Sequence, residues 1–154
     1  MKLKLTFSAL AIATLSGCAV PVESDQAMQE AKLFQTPSEG NAVIYMYRED
    51  SIFGSGLKKD LYLNGKCVGE TAKGVFFRKE VEANKEYEIA TESEFSPNKM
   101  VLFVNASKNY FVKQFIKPGV FVGGADVKQV SETEGKNTVL KLDMAKPGTC
   151  NSLY

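Results

Sequence analysis

The sequence predicts a mainly β protein, an antiparallel β-sandwich or small barrel of about seven to nine short strands behind an N-terminal signal helix. Three observations carry that expectation. Between Asn41 and Val130 the apolar residues come in short runs, continuous or alternating, of strand length rather than helix length. Turn residues punctuate these runs at near-regular intervals, among them Gly54, Gly56, Pro97, Pro118, Gly119, Gly123 and Gly124. Finally, Asn64-Gly65 sits between Leu61-Tyr62-Leu63 and Lys66-Cys67-Val68, and that pair tolerates the positive φ angles a type I′ hairpin requires.

The chain opens with Lys2 and Lys4, then runs uncharged from Leu5 to Leu15, the order of a secretory signal. That apolar run falls short of the ~20 residues needed to cross a bilayer. Leu15-Ser16-Gly17-Cys18 resembles the lipobox of bacterial lipoproteins. The resemblance implies that Cys18 is diacylated on sulfur, becomes the first residue of the mature chain and is then acylated on its amine. Several acyl chains, each contributing ~0.8 kcal/mol per buried methylene, make such attachment effectively permanent. Ala19, rather than Asp, follows the cysteine, which in Gram-negative lipoproteins implies passage to the outer membrane. The expected segments are 1–17 as signal peptide, 18–37 as lipidated cysteine and linker, 38–146 as the β-sandwich and 147–154 as a C-terminal tail.

Ala19 to Thr36 is polar and mixed, so it reads mostly as a linker of random-coil reach ~20 to 25 Å, although Ala27, Met28, Ala31 and Phe34 fall at roughly helical spacing. Ala42 to Tyr47 is a continuous apolar run rich in β-branched and aromatic residues, as in a strand buried on both faces. Ser51 to Gly56 reads as a loop, and the Asn64-Gly65 hairpin follows. Gly74 to Val81 predicts a strand with Val75, Phe77 and Val81 on one face, and Lys85 to Thr91 alternates as a half-exposed strand does. Met100 to Ala106, Asn109 to Ile116, Val120 to Val122 and Ala125 to Val130 complete the series. Ser131-x-x-Glu134 fits a capping box and predicts a short helix over 132–142; a further strand is the competing reading, since Leu140, Leu142 and Met144 alternate with Val139, Lys141 and Asp143.

Two aromatic pairs, Phe76-Phe77 and Tyr110-Phe111, carry an inference of their own. Adjacent strand residues point to opposite faces, so each pair puts one ring in the core and one outside it. Something must cover the outer rings, either the C-terminal segment or a partner surface.

Charges of both signs are interspersed, with 19 Lys and Arg against 18 Asp and Glu, and no basic face gathers to meet a nucleic acid. With Cys18 consumed by lipid, Cys67 and Cys150 remain as an even pair in an oxidising compartment. They form a disulfide tying the tail to the hairpin, or else stay free with Cys67 buried in its strand.

The sequence contains no histidine, which removes His-based nucleophile arrangements and the usual zinc sites. No cofactor or metal is expected. A paired-carboxylate hydrolase would use Glu92 and Glu94, which share a face if they lie on a strand; an i, i+2 pair is more often a solvated strand end. Gly54-Ser55-Gly56-Leu57-Lys58-Lys59 lacks the spacing of a phosphate loop.

Ala31-Lys32-x-Phe34, Ala42 to Tyr45 with Arg48, Leu61 to Gly65 with Val68-Gly69 and Thr71, Glu92-Ser93-Glu94 and Asn109 to Val112 resemble an uncharacterised family of bacterial lipoproteins, one of the domain-of-unknown-function families. Tyr62 to Thr71 also resembles the PEGA β-sandwich repeats of cell-surface proteins. Both resemblances imply a β-sandwich and neither implies an activity. The expected role is a lipid-anchored outer-membrane module facing the periplasm, structural or binding an envelope protein. The alternative is a small inhibitor or protective lipoprotein that blocks a hydrolase with Ser51 to Lys59.

Overall fold

The computed structural model describes residues 20–151; the signal segment, Cys18 and the last three residues lie outside the described residues. Among the described residues, nine strands form two sheets. The first contains β1 (Asn41–Arg48), β4 (Val75–Glu82), β7 (Asn109–Lys117), β8 (Gly124–Val130) and β9 (Asp143–Met144), in the order β8-β7-β1-β4-β9. The second contains β2 (Lys59–Leu63), β3 (Lys66–Thr71), β5 (Lys85–Thr91) and β6 (Asn98–Val104), in the order β3-β2-β5-β6. Helices α1 (Asp25–Ala31) and α2 (Glu132–Val139) flank the first sheet.

β1 is buried on both faces, as its unbroken apolar run requires. Asn64 and Gly65, at φ 48° and 70°, turn the β2–β3 hairpin in the type I′ sense. Two pairings depart from the antiparallel expectation, for β1 runs parallel to β7 and β4 parallel to β9. The cause is the path of the chain. Between β1 and β7 it crosses to the second sheet and returns, and such a crossover is what parallel neighbours need.

The core lies between the sheets, where Ile44, Met46, Leu61, Phe77, Ile89 and Val112 pack together. A second apolar layer covers the outer face of the first sheet. There Tyr45 stacks on Phe111 with ring centroids 5.0 Å apart, Phe34 meets Tyr45 edge-on at 5.3 Å, and Phe76, Ala31 and Val139 close around them. The aromatic pairs divide as the strand period demands: Phe77 and Tyr110 face the inner core, Phe76 and Phe111 the outer layer. Both outer rings are covered by this chain's own helices, so neither calls for a partner.

Two expectations are corrected and a third, left open between two readings, is decided. Residues 20–36 are tied to the domain at several points rather than forming a free linker throughout: Val22 bridges Ala145, Val20, Met28 and Ala31 are buried, and Ser24 Oγ caps α1 by accepting from the Ala27 amide at 3.3 Å. The apolar residues of this segment are too sparse to form a core alone, and only the exposed strip of sheet beneath recruits them. Val120 to Val122 is an exposed loop and not a strand, because its amides bond to a side chain rather than to a neighbouring strand. The C-terminal alternatives are both partly realised, since Ser131 caps α2 and Met144 then enters β9.

Candidate functional site

One end of the sandwich gathers three loops, 49–58 after β1, 92–97 after β5 and 118–123 after β7. A buried polar bridge ties the sheets together beneath them. The Gln114 amide Nε2 donates to Thr91 Oγ1 at 2.8 Å, and its Oε1 accepts from Thr71 Oγ1. The sequence carried a sign of this, a glutamine at an inward position of the alternation Tyr110, Val112, Gln114, Ile116, yet its partners became visible only across the sheets.

Each of two loops is held by one charged side chain. Arg48, the last residue of β1 and 3% exposed, donates from Nη1 to the Leu57 carbonyl at 2.6 Å and from Nη2 to the Gly54 carbonyl. Burial pushes its guanidinium pKa down from the ordinary arginine value. Glu94 does the converse for the third loop, accepting from the amides of Val120, Phe121 and Val122. Desolvation pushes the Glu94 carboxyl up, but the three amide donors outweigh it and hold its pKa below the usual glutamate value.

These clamps present apolar tips to solvent. Ile52, Phe53, Phe95, Val120, Phe121 and Val122 are all exposed, between 56% and 94%. Phe95 and Val120 flank an open cleft of about 400 Å³ that also meets Ser93, Glu94, Lys117 and Pro118. Leu57 lies against Gly123, so the first and third loops touch. The charges around the tips are paired: Lys59 with Glu92 at 3.0 Å, Lys113 with Glu49 at 2.7 Å and Lys117 with Asp126 at 3.3 Å.

The anticipated residues therefore separate. Glu92 and Glu94 follow β5 and do not act as a pair, one being bound to Lys59 and the other to backbone amides. Cys67 and Cys150 are joined in a disulfide with Cα atoms 5.8 Å apart, which excludes the free-thiol alternative within this structure. Beside it the Asn151 amide donates to Asp60 Oδ2 at 2.7 Å, and Tyr62 Oη donates to the Asn151 carbonyl. Burial raises the Asp60 carboxyl pKa, and it pushes the Tyr62 phenol up to about 12. Cys18 lies outside the described residues. Among the described residues no group of three or more acidic or cysteine side chains is placed to hold a metal ion.

A family model described as a protein of unknown function (DUF2846) matches residues 38–125, more than half of the chain. The chain belongs to the DUF2846 family. An uncharacterized protein of Haemophilus influenzae strain Rd is 50% identical over 132 residues, covering 85% of this chain and 77% of the relative. No solved structure matches. The DUF2846 segment runs from before β1 to the start of β8 and so contains all three loops and both clamps, whereas α1, α2 and Cys150 lie outside it.

Proposed function

We infer that this DUF2846 chain is a lipid-anchored binding module of the bacterial outer membrane, facing the periplasm, that docks an envelope protein through its loop end. The observation that carries the reading is the set of apolar tips held in place by Arg48 and Glu94. Loops that expose phenylalanine and valine while two charged side chains secure their backbones are organised for contact rather than for solubility. The lipobox-like Leu15 to Cys18 supports the anchor, and the PEGA-like hairpin is in keeping with a surface module. If Cys18 carries lipid, the domain sits close to the bilayer. Val20 is already buried, and the two residues before it span ~7 Å at most.

Replacing Cys18→Ala in the full chain is expected to move the protein out of the membrane fraction and to abolish incorporation of labelled palmitate. Unchanged fractionation and labelling would reject the anchor. Docking is tested separately by crosslinked capture of the native lipoprotein from envelopes. A specific protein should be retained by wild type and lost from Phe95→Ser/Phe121→Ser; no specific protein with wild type, or full retention by the variant, removes the docking reading. The exposed Ile52-Phe53 tip also favours the second reading, an inhibitor that inserts this loop into a hydrolase.

A further inference from the structure

Apart from the loop end, an open cleft of about 330 Å³ lies on the outer face of the first sheet, between α1 and the strands β1, β4 and β9. The strand period builds its floor. Phe76 belongs to the outer apolar layer, so Arg78 and Glu80 emerge from β4 on the same face, and Arg78 is the cross-strand neighbour of Tyr45. The helix period builds its wall, since Ala27, Glu30 and Ala31 stand at i, i+3 and i+4 on α1. Tyr45 Oη joins the two by donating to the Ala31 carbonyl at 2.9 Å.

Of the charged groups that meet there, only Glu80 is spent. Its Oε1 accepts from Ser38 Oγ, from the Ser38 amide at 3.2 Å and from Asn41 Nδ2 at 3.3 Å, and these donors hold its pKa below the usual glutamate value. The Arg78 guanidinium carries five N–H donors, and its carboxylate contact is to Glu80 Oε2 at 3.5 Å, beyond the usual hydrogen-bond range. The Glu30 carboxylate has no partner among the described residues. An anion entering alone would face two carboxylates, and a cation entering alone would leave the guanidinium unmatched. A molecule with an oxyanion at one end and an ammonium at the other matches Arg78 and Glu30 together, and Ala27, Ala31 and Met144 suit the short carbon chain between.

Position narrows the source. The Glu23 amide donates to the carbonyl of Met144, which lines the cleft, at 2.7 Å, and the chain from Cys18 to Glu23 extends ~18 Å at most. A lipid on Cys18 would therefore keep the cleft near the headgroup layer.

We propose that this cleft binds a small zwitterion, its oxyanion on Arg78 and its primary ammonium on Glu30, with the phosphoethanolamine headgroup of the bilayer and a free amino acid as the two sources of that chemistry. The headgroup source rests on the anchored reading and the cleft does not, so calorimetric titration of the lipidated full chain in detergent tests the cleft separately. O-phosphoethanolamine or alanine should bind ~10-fold or more tightly than ethanolamine or inorganic phosphate, the gain of one charge-assisted hydrogen bond. Arg78→Gln and Glu30→Gln should each remove that gain, and Arg78→Lys should restore part of it. Glu30 is exposed on α1, so its variant reads binding even where a change at Arg78 perturbs the fold. No binding of either zwitterion, binding no tighter than that of the single-charge probes, or a Glu30→Gln protein that binds as wild type overturns the proposal. Reconstitution separates the sources. An apparent affinity for the soluble zwitterion ~10-fold or more weaker in phosphatidylethanolamine vesicles than in phosphatidylglycerol vesicles assigns the headgroup, and equal affinities assign the free amino acid.

Discussion

Gly135→Ala reverses the usual sign of a helix substitution. Within an exposed helix this change gains ~1 kcal/mol, because alanine loses less backbone freedom on folding than glycine. Gly135 sits in α2 over the outer aromatic layer, and a Cβ there would lie 2.1 to 2.4 Å from Phe111 Cγ, Cβ and Cδ1. The ring cannot yield, being stacked on Tyr45 at 5.0 Å and met edge-on by Phe34 at 5.8 Å. Overpacking of a filled site costs ~1–3 kcal/mol, and a ring held on two sides places this one in the upper half of that range. After the propensity gain is subtracted, the expected net loss is ~1–2 kcal/mol, or a melting temperature lower by ~3–10 °C for a chain of this size. Asn137→Ala, on the exposed face of the same helix, should instead raise stability by a few tenths of a kcal/mol. Urea unfolding followed by circular dichroism reads both variants. A Gly135→Ala protein as stable as wild type, or more so, would refute the claim that glycine is there to let α2 approach Phe111.

Two further expectations concern the clamps on loop and tail. Cys67→Ala/Cys150→Ala opens a crosslink between residues 83 apart in sequence and should cost ~2–4 kcal/mol, seen as a urea midpoint lower by ~1–2 M; equal midpoints would show that the disulfide contributes nothing. Glu94→Ala should sharply reduce the hydrogen-exchange protection of the Val120, Phe121 and Val122 amides, with Glu94→Gln intermediate. Since the folded pKa of Glu94 is depressed, its contribution is fully present above the ordinary glutamate pKa of ~4.3 and is lost as pH falls through the lower folded value. Wild-type protection factors at those three amides should therefore decline on acidification below about pH 4, and pH-independent values would rule out the carboxylate as their acceptor.

Much of the fold was legible from local pattern. The continuous run Ala42 to Tyr47, the Asn64-Gly65 turn and the Ser131 cap each specify their element through contacts a few residues apart, and all three took the form their residues dictate. The candidate site was less so. Glu92 and Glu94 drew notice as neighbouring carboxylates, yet what each does depends on Lys59, 33 positions before Glu92, and on amides 26 to 28 positions after Glu94. Val120 to Val122 has strand composition and became a loop because those amides found Glu94.

The sequence by itself determined the class of fold and the division of each aromatic pair between two faces. Hydrophobic period and turn chemistry act over a few residues, and local sequence records them directly. Only the tertiary structure decided that α1 and α2 cover Phe76 and Phe111, that β7 lies parallel to β1, and that three loops bring their apolar tips to one end. Those outcomes follow from which faces remain open once the strands have paired, and that depends on the whole chain at once.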